Sequence, residues 1–549
     1  MRRVLAVCLA IAFAQAGTGG AAPARRAVDD APRLAVIIAV DGLSWARLSA
    51  VRPRLSGGLR RLLDEGTVET ECRYEHLNTL TAPGHASLAT GAPPRVHGIP
   101  SNHWFVPGSD KSGMVDVYAG SQPRSGEAEG SSRTVAGAGR LRVPTLADRL
   151  AESNPASKVV SIATKDRSAI LLAGRDPHHA VYWYESGKYR TGDAYDRRSG
   201  AAAAAAAVVG RFNAEKAGTK LASRFGGTWS RAPKAGPAAV SPASLAALRV
   251  PSIGPTFPHA LVGKDLSIES SILWTPFIDR LLVDLAVDLL ADDTLALGRD
   301  DVPDVLALSF SSNDYISHDY GPESEEAVEA LRALDETIGR LLDELTRRVG
   351  RGHVLVALSA DHGFLSLASA KHFSEATIVD GLNEAVNREL SRTQGPPLVY
   401  RHDACSLWLD RTALASPGAP DRSRVLAIVD RELTRRYKDV LERTFVVDDE
   451  FPVPPGDELA ARAWNARVPG RSGDLFVIPR RGVLIGAADG KGTSHGSPWE
   501  YDVHVPLIFW GSGMTARSVG TPTTPYDLAP TLARFLHVAL PAATGSPLN

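Results

Sequence analysis

Short, largely apolar runs recur along the chain, with amphipathic stretches between them. The runs are Leu34 to Val40, Val159 to Ile162, Val305 to Phe310, Val354 to Leu358, Leu475 to Ile478 and Val505 to Trp510. Continuously apolar strands suit a parallel sheet covered on both faces, because neither face can meet water. Pro506 cannot donate to a ladder, so the last run is expected at a sheet edge or with the proline at its start. Between the runs, Val328, Leu331, Leu334, Ile338, Leu341, Leu342 and Leu345 form one helical stripe. Thr275-Pro276 and Asp527-Leu528-Ala529-Pro530 open two further helices. This alternation predicts an α/β, doubly wound fold with a mostly parallel central sheet flanked by helices. Residues of about 175–265 and about 370–470 break the rhythm and read as cap insertions over one face of the sheet. Within them, Ala201 to Ala207 reads as helix, Leu398 to Leu409 as strand and Arg422 to Tyr437 as helix.

The 549 residues carry a formal net charge of -1, which implies no polyanion-binding field and no nucleic-acid partner. Any anionic substrate must be attracted by local groups. At the start, Arg2 and Arg3 precede an apolar run from Val4 to Phe13, and Ala14-Gln15-Ala16 offers a small-x-small cleavage site. Residues 1–16 therefore read as a secretory signal, 17–32 as a flexible lead-in, and 33–549 as one domain with its insertions. The apolar run is about half the ~20 residues that a membrane span needs, so a periplasmic or secreted protein is expected. Outside the signal, Cys72 and Cys405 could pair in an oxidising compartment, but spacing alone does not say that they meet. The absence of a CxxC pattern argues against a thiolate zinc site.

Ligands of open α/β sheets bind at the carboxyl ends of the strands. Asp41 follows the first run. Ser311-Ser312-Asn313-Asp314, with His318 close behind, follows the third, and Asp361-His362-Gly363 the fourth. Gly492-Thr493-Ser494-His495-Gly496 precedes the last. Each alone has a bland reading, as a turn, a cap or a core residue. Gathered at one sheet edge, carboxylates and imidazoles match the ligand preferences of zinc. Thr81 to Gly91 reads as a helix with Thr81 as its N-cap, Pro83 just inside and Gly91 just past the end. A hydroxyl at that helix start faces unpaired N–H groups and the positive dipole end, where an anion is favoured. Thr164-Lys165-Asp166-Arg167 follows the second run. If the backbone stays extended there, Lys165 and Arg167 point to one side and offer two cations to phosphate oxygens.

In this order and spacing, the blocks resemble the alkaline phosphatase superfamily. They are Val40-Asp41-Gly42, Thr81-Ala82-Pro83-Gly84-His85, His97-Gly98-Ile99, Asn313-Asp314 through His318, Asp361-His362-Gly363 and Thr493-Ser494-His495-Gly496. The chain is most similar to the exported phosphate-irrepressible alkaline phosphatases, with nucleotide pyrophosphatase/phosphodiesterases as cousins. The resemblance covers nearly all of residues 34–540. It implies two zinc ions, one held by Asp314, His318 and His495, the other by Asp41, Asp361, His362 and the Thr81 oxygen. It implies Thr81 as the nucleophile of a phosphothreonine intermediate, with Asn102, Lys165 and Arg167 binding the phosphoryl oxygens. The diesterases lack that cationic pair, so small-molecule phosphate monoesters are the expected substrates. The enzyme alternative is a phosphodiesterase or nucleotide pyrophosphatase, or a phosphonate hydrolase, on the same two-metal core. A non-catalytic envelope binding protein is the alternative of a different class. Sulfatases do not fit, because Thr81-Ala82-Pro83-Gly84 lacks their cysteine or serine and their arginine.

Overall fold

The computed structural model describes residues 32–548 except 106–113, 118, 121–134, 196–199, 217–224, 232–246, 250–252, 264–266, 449–450 and 487–489. The expected export signal and most of the lead-in lie outside the described residues. No described helix is long and apolar enough to cross a membrane.

Nine strands form the central sheet: β1 (Leu34–Val40), β2 (Thr67–Cys72), β3 (Val159–Ala163), β4 (Ala180–Glu185), β5 (Lys188–Arg190), β6 (Asp304–Phe310), β7 (Val354–Ser359), β8 (Leu507–Gly511) and β9 (Arg517–Thr523). Their order is β9-β2-β8-β7-β1-β6-β3-β4-β5. The five strands β7-β1-β6-β3-β4 run parallel, whereas β8 is antiparallel to both its neighbours. Every residue of β1, β3, β6 and β7 is buried, in keeping with their largely apolar sequences. Pro506 stands just before β8, where its missing N–H costs no ladder bond. The helices used below are α1 (Thr81–Thr90), α2 (Asp166–Ala173), α3 (Gly200–Lys216), α4 (Phe277–Ala291), α5 (Ser312–Tyr320) and α6 (Glu325–Arg348). Ser324 caps α6 through the Ala327 amide, and the predicted apolar stripe lies in the core.

Two expectations about the strands change. The Leu475 run does not join the central sheet. It pairs antiparallel with Ser406–Leu409 and Leu441–Val446 in a separate four-stranded sheet completed by Val399–Asp403. A short apolar run specifies burial but not which sheet receives it. That sheet packs with the helices Glu375–Glu389 and Arg422–Arg436 around its own core, including Ile378, Leu382, Val429 and Leu433. It makes up most of the second insertion, hereafter the cap. The first insertion begins later than expected, because β4 and β5 extend the central sheet. Tyr182 and Trp183 are buried there, and the alanine-rich α3 packs beside them.

Candidate metal centre

The parallel strands β7, β1, β6 and β3 are neighbours, so their carboxyl ends open on one place. Asp41 leaves β1, and Asp361 and His362 follow β7. Asp314 and His318 sit on α5 after β6, and Lys165 follows β3. On α5 the spacing from Asp314 to His318 is one helical turn, which puts both side chains on one face. Ligand atoms of Asp41, Asp361 and His362 lie within 4.8 Å of one another, and so do those of Asp314, His362 and His495. His318 Nε2 is 3.4 Å and His495 Nε2 3.7 Å from Asp314 Oδ1. All the sequence-predicted ligands other than Thr81 therefore converge, with His362 between the two groups.

The donor set fits divalent metal. Asp41 Oδ1, Asp314 Oδ1, Asp361 Oδ2 and His362 Nε2 are all buried without a hydrogen-bond partner among the described residues. So many orphaned acceptors in one place would be costly unless a cation meets them. The imidazoles repeat one pattern. His362 Nδ1 bonds to Gly363 O (3.0 Å), His318 Nδ1 to Thr493 O (2.9 Å) and His495 Nδ1 to Thr79 O (2.8 Å). A carbonyl can only accept, so each proton sits on Nδ1 and each Nε2 keeps a free lone pair aimed inward. The carboxylates are steadied from behind. Asp361 Oδ1 accepts from the Gly42 and His362 amides (3.1 and 3.0 Å), and Asp41 Oδ2 accepts from Ser311 Oγ (2.9 Å).

Lys165 Nζ, buried, lies 2.7 Å from Asp41 Oδ2 and 2.5 Å from Asp314 Oδ2. Burial alone would discharge this ammonium, but Asp314 and Asp41 override it and hold Lys165 protonated. Burial likewise lifts the Asp314 carboxyl, and Lys165 with the neighbouring imidazoles drives it well below the ordinary range. Asp41 moves the other way, up to about 6, through burial and the Asp314 and Asp361 charges. The extended stretch expected around Lys165 is not present. Lys165 is the N-cap of α2, and Arg167 already lies in its first turn. The first turn leaves Arg167 Nε buried without a partner among the described residues.

Thr81 also sits differently from the expectation. Leu80 is the N-cap of α1 and Thr81 its first helical residue, with no side-chain capping bond. The cap is supplied from outside: the Ala82 amide donates to Asn102 Oδ1 at 2.9 Å. The Thr81 hydroxyl is thereby spared, and because Asn102 accepts through oxygen, its Nδ2 donors are left for another partner. Gly91 ends the helix in the left-handed region, as expected of a C-cap glycine. Gly84 matters for a different reason. A β-carbon there would collide with the Asp361 carbonyl oxygen, so only glycine lets α1 approach the end of β7.

Sequence reasoning quoted His85 in a block but gave it no role. Its Nδ1 meets Thr81 O at 2.8 Å and stands 3.2 Å from Asp361 Oδ2, while Nε2 pairs with Ser309 Oγ at 2.8 Å. It ties the start of α1 to β6 and to a metal-site carboxylate; its i+4 spacing from Thr81 was the available signal. Asp279 on α4 was missed altogether: buried, it accepts from Ser312 Oγ and the Ser312 amide and so anchors the start of α5. His97 is structural, bridging the Ile99 amide and Ser87 Oγ. Cys72 and Cys405 are both free thiols, and Cys405 Sγ donates to Gly496 O at 3.3 Å.

Alkaline phosphatase PafA of Elizabethkingia meningoseptica is 29% identical over 534 residues, covering 94% of both chains. Alkaline phosphatase PhoK of a Sphingomonas species is 27% identical over 549 residues, covering 93% of this chain and 89% of its own. The crystal structure of wild type PafA matches with a TM-score of 0.80 at 26% identity, covering 96% of this chain and 99% of that one. The family model described as type I phosphodiesterase / nucleotide pyrophosphatase matches residues 35–504. By that match the chain belongs to the type I phosphodiesterase / nucleotide pyrophosphatase family, within the alkaline phosphatase superfamily.

Proposed function

We propose that the protein is an exported phosphomonoesterase that uses two zinc ions and Thr81 to convert small phosphate monoesters to an alcohol and inorganic phosphate. The observation that carries this reading is the Lys165 ammonium, buried against Asp41 and Asp314. A monoester dianion presents one more anionic oxygen than a diester, and a fixed cation answers it where a diester carries an ester group. The relatives named alkaline phosphatases, matched over nearly the whole chain, support the same choice.

Asp314, His318 and His495 would hold one ion; Asp41, Asp361, His362 and the Thr81 oxygen would hold the other. When bound, the ions would supply Lewis-acid charge that eases deprotonation of the Thr81 hydroxyl and stabilises the leaving oxygen. Thr81 Oγ attacks phosphorus in line, the bond to the alcohol oxygen breaks, and phosphothreonine forms. Water then attacks that phosphorus and frees Thr81 with release of phosphate. Lys165, Arg167 and Asn102 Nδ2 hold the non-bridging oxygens through both steps. A cavity of about 240 Å³ opens beside His495, lined also by Leu80, Arg249, Val483, Ile485 and Thr493, with room for the departing alcohol.

Rates on an aryl phosphate and on its aryl methyl diester test the reading. Preference for the diester, the substrate class in the family model's description, would overturn it. Lys165→Ala is expected to lower kcat/KM by about 100-fold on the monoester and by less than about tenfold on the diester. Equal losses would remove the role given to Lys165.

A further inference from the structure

Asn78 has no part in the chemistry above, yet it joins the segments that carry it. It is fully buried with φ at 56°, in the left-handed region. Both ends of its amide are engaged: Nδ2 donates to Pro100 O (3.2 Å) and Ser406 Oγ (2.9 Å), and Oδ1 accepts from the Cys405 amide (2.9 Å). The carbonyl and the N–H among these partners fix which end of the amide is oxygen. Pro100 leads directly to Asn102, and Asn78 directly to Thr81. The Asn78 bond and the Ala82-to-Asn102 bond thus form two rungs between the nucleophile segment and the phosphate-binding segment.

The third partner comes from far away in sequence. Cys405 lies in the turn of the cap hairpin and Ser406 opens its second strand; this tip wedges between Asn78 and the loop after His495. Cys405 Sγ donates to Gly496 O, and Ala404 packs where a β-carbon at Gly496 would stand. The Thr79 carbonyl meanwhile orients His495, and Thr79 Oγ1 donates to Ser497 O at 2.9 Å. The cap hairpin therefore braces the segments of Thr81 and His495 directly and that of Asn102 through Asn78, the side chain on which the first, the third and the hairpin meet.

We infer that Asn78 is a positioning residue, which sets the spacing between the Thr81 hydroxyl and the Asn102 amide and makes the cap hairpin part of the active-site framework. The inference rests on the roles proposed for Thr81 and Asn102. Outer supports of this kind typically carry about 10- to 100-fold in rate, because small displacements of a reacting group are costly.

The test is a double-mutant cycle on the zinc-loaded full-length protein with an aryl phosphate. Glycine tolerates the left-handed backbone, so Asn78→Gly removes the amide without adding strain. Asn78→Gly is expected to lower kcat/KM about 10- to 100-fold while two zinc ions per chain are retained. In an Asn102→Ala background the same change is expected to cost less than about twofold, because the group that it positions is gone. Full activity in Asn78→Gly, or undiminished cost in the Asn102→Ala background, would overturn the inference. If Asn78→Gly does not fold, Ser406→Ala, which deletes one acceptor from the clamp, carries the same cycle with the same two criteria. A wild-type protein without activity on the aryl phosphate would instead sink the proposed function itself.

Discussion

Two sets of buried aspartates stand in opposite states. In the cap, Asp474 Oδ1 accepts from Arg411 (3.3 Å) and Arg422 (2.7 and 3.0 Å), and Oδ2 accepts from the Leu409 amide (2.9 Å). At the edge of the central sheet, Asp41, Asp314 and Asp361 each hold one oxygen with good partners and leave the other without a hydrogen bond among the described residues. The residue type and the burial are the same. A saturated carboxylate is a fastener, whereas three half-satisfied carboxylates around one point are a charge deficit kept for something not made of protein.

The sharpest way to break this contrast is to remove one charge from each place. Asp361→Asn is expected to reduce phosphate-ester turnover on the order of 1,000-fold and to lower bound metal. Asp474→Asn should leave kcat/KM unchanged and cost about 1–3 kcal/mol in unfolding measurements, a modest figure because its arginines are partly in water. If Asp474→Asn lost activity as Asp361→Asn does, the distinction would fail. A smaller effect sharpens the comparison from the other side. In chelator-treated protein at pH 7.5, Asp41→Asn should raise the melting temperature by a few degrees, since burial and the Asp314 and Asp361 charges outweigh Lys165 and His362 and disfavour the charged form of Asp41. A lower melting temperature for this variant would show that the cluster is self-satisfied without metal.

The smallest expected effect lies in the cap. His402 is buried with neither ring nitrogen bonded among the described residues, and burial followed by Arg401 depresses it to about 4. The unfolded chain, with an ordinary imidazole, takes up its proton first. This group's contribution to stability is therefore present above about pH 6.5 and lost as pH falls toward 4. His402→Leu should flatten the fall in melting temperature over that window; an unchanged slope would refute it. His76 and His97 are depressed in the same way, by burial first, so part of the slope remains.

The sheet and the gathering of carboxylates and imidazoles at its edge were legible because both follow from short-range rules. Fully buried strands must be continuously apolar, and parallel strands deliver whatever follows them to one side. Asp41, Asp314, Asp361 and His362 could be picked out by that logic. Thr81 was found for a reason that the fold revises, since Asn102 caps the helix in its stead. Lys165 and Arg167 were paired by an extended backbone where a helix in fact begins. What local sequence did not contain was support across long separations. Asn78 meets Ser406, Asp279 meets Ser312, and the Leu475 run finds its sheet only among cap strands. Such contacts leave no periodicity to read.

All ten residues of α1 are buried, so the helix that begins with Thr81 has no face toward solvent. A helix of this kind cannot fray at its first turn or trade its backbone bonds for water one at a time; its amides exchange with solvent only when the surrounding unit opens. The hydroxyl at position 81 therefore belongs to the slow-exchanging part of the molecule. Under the mechanism proposed for Thr81, the movement needed to admit an ester and release the alcohol must then come from groups outside this helix.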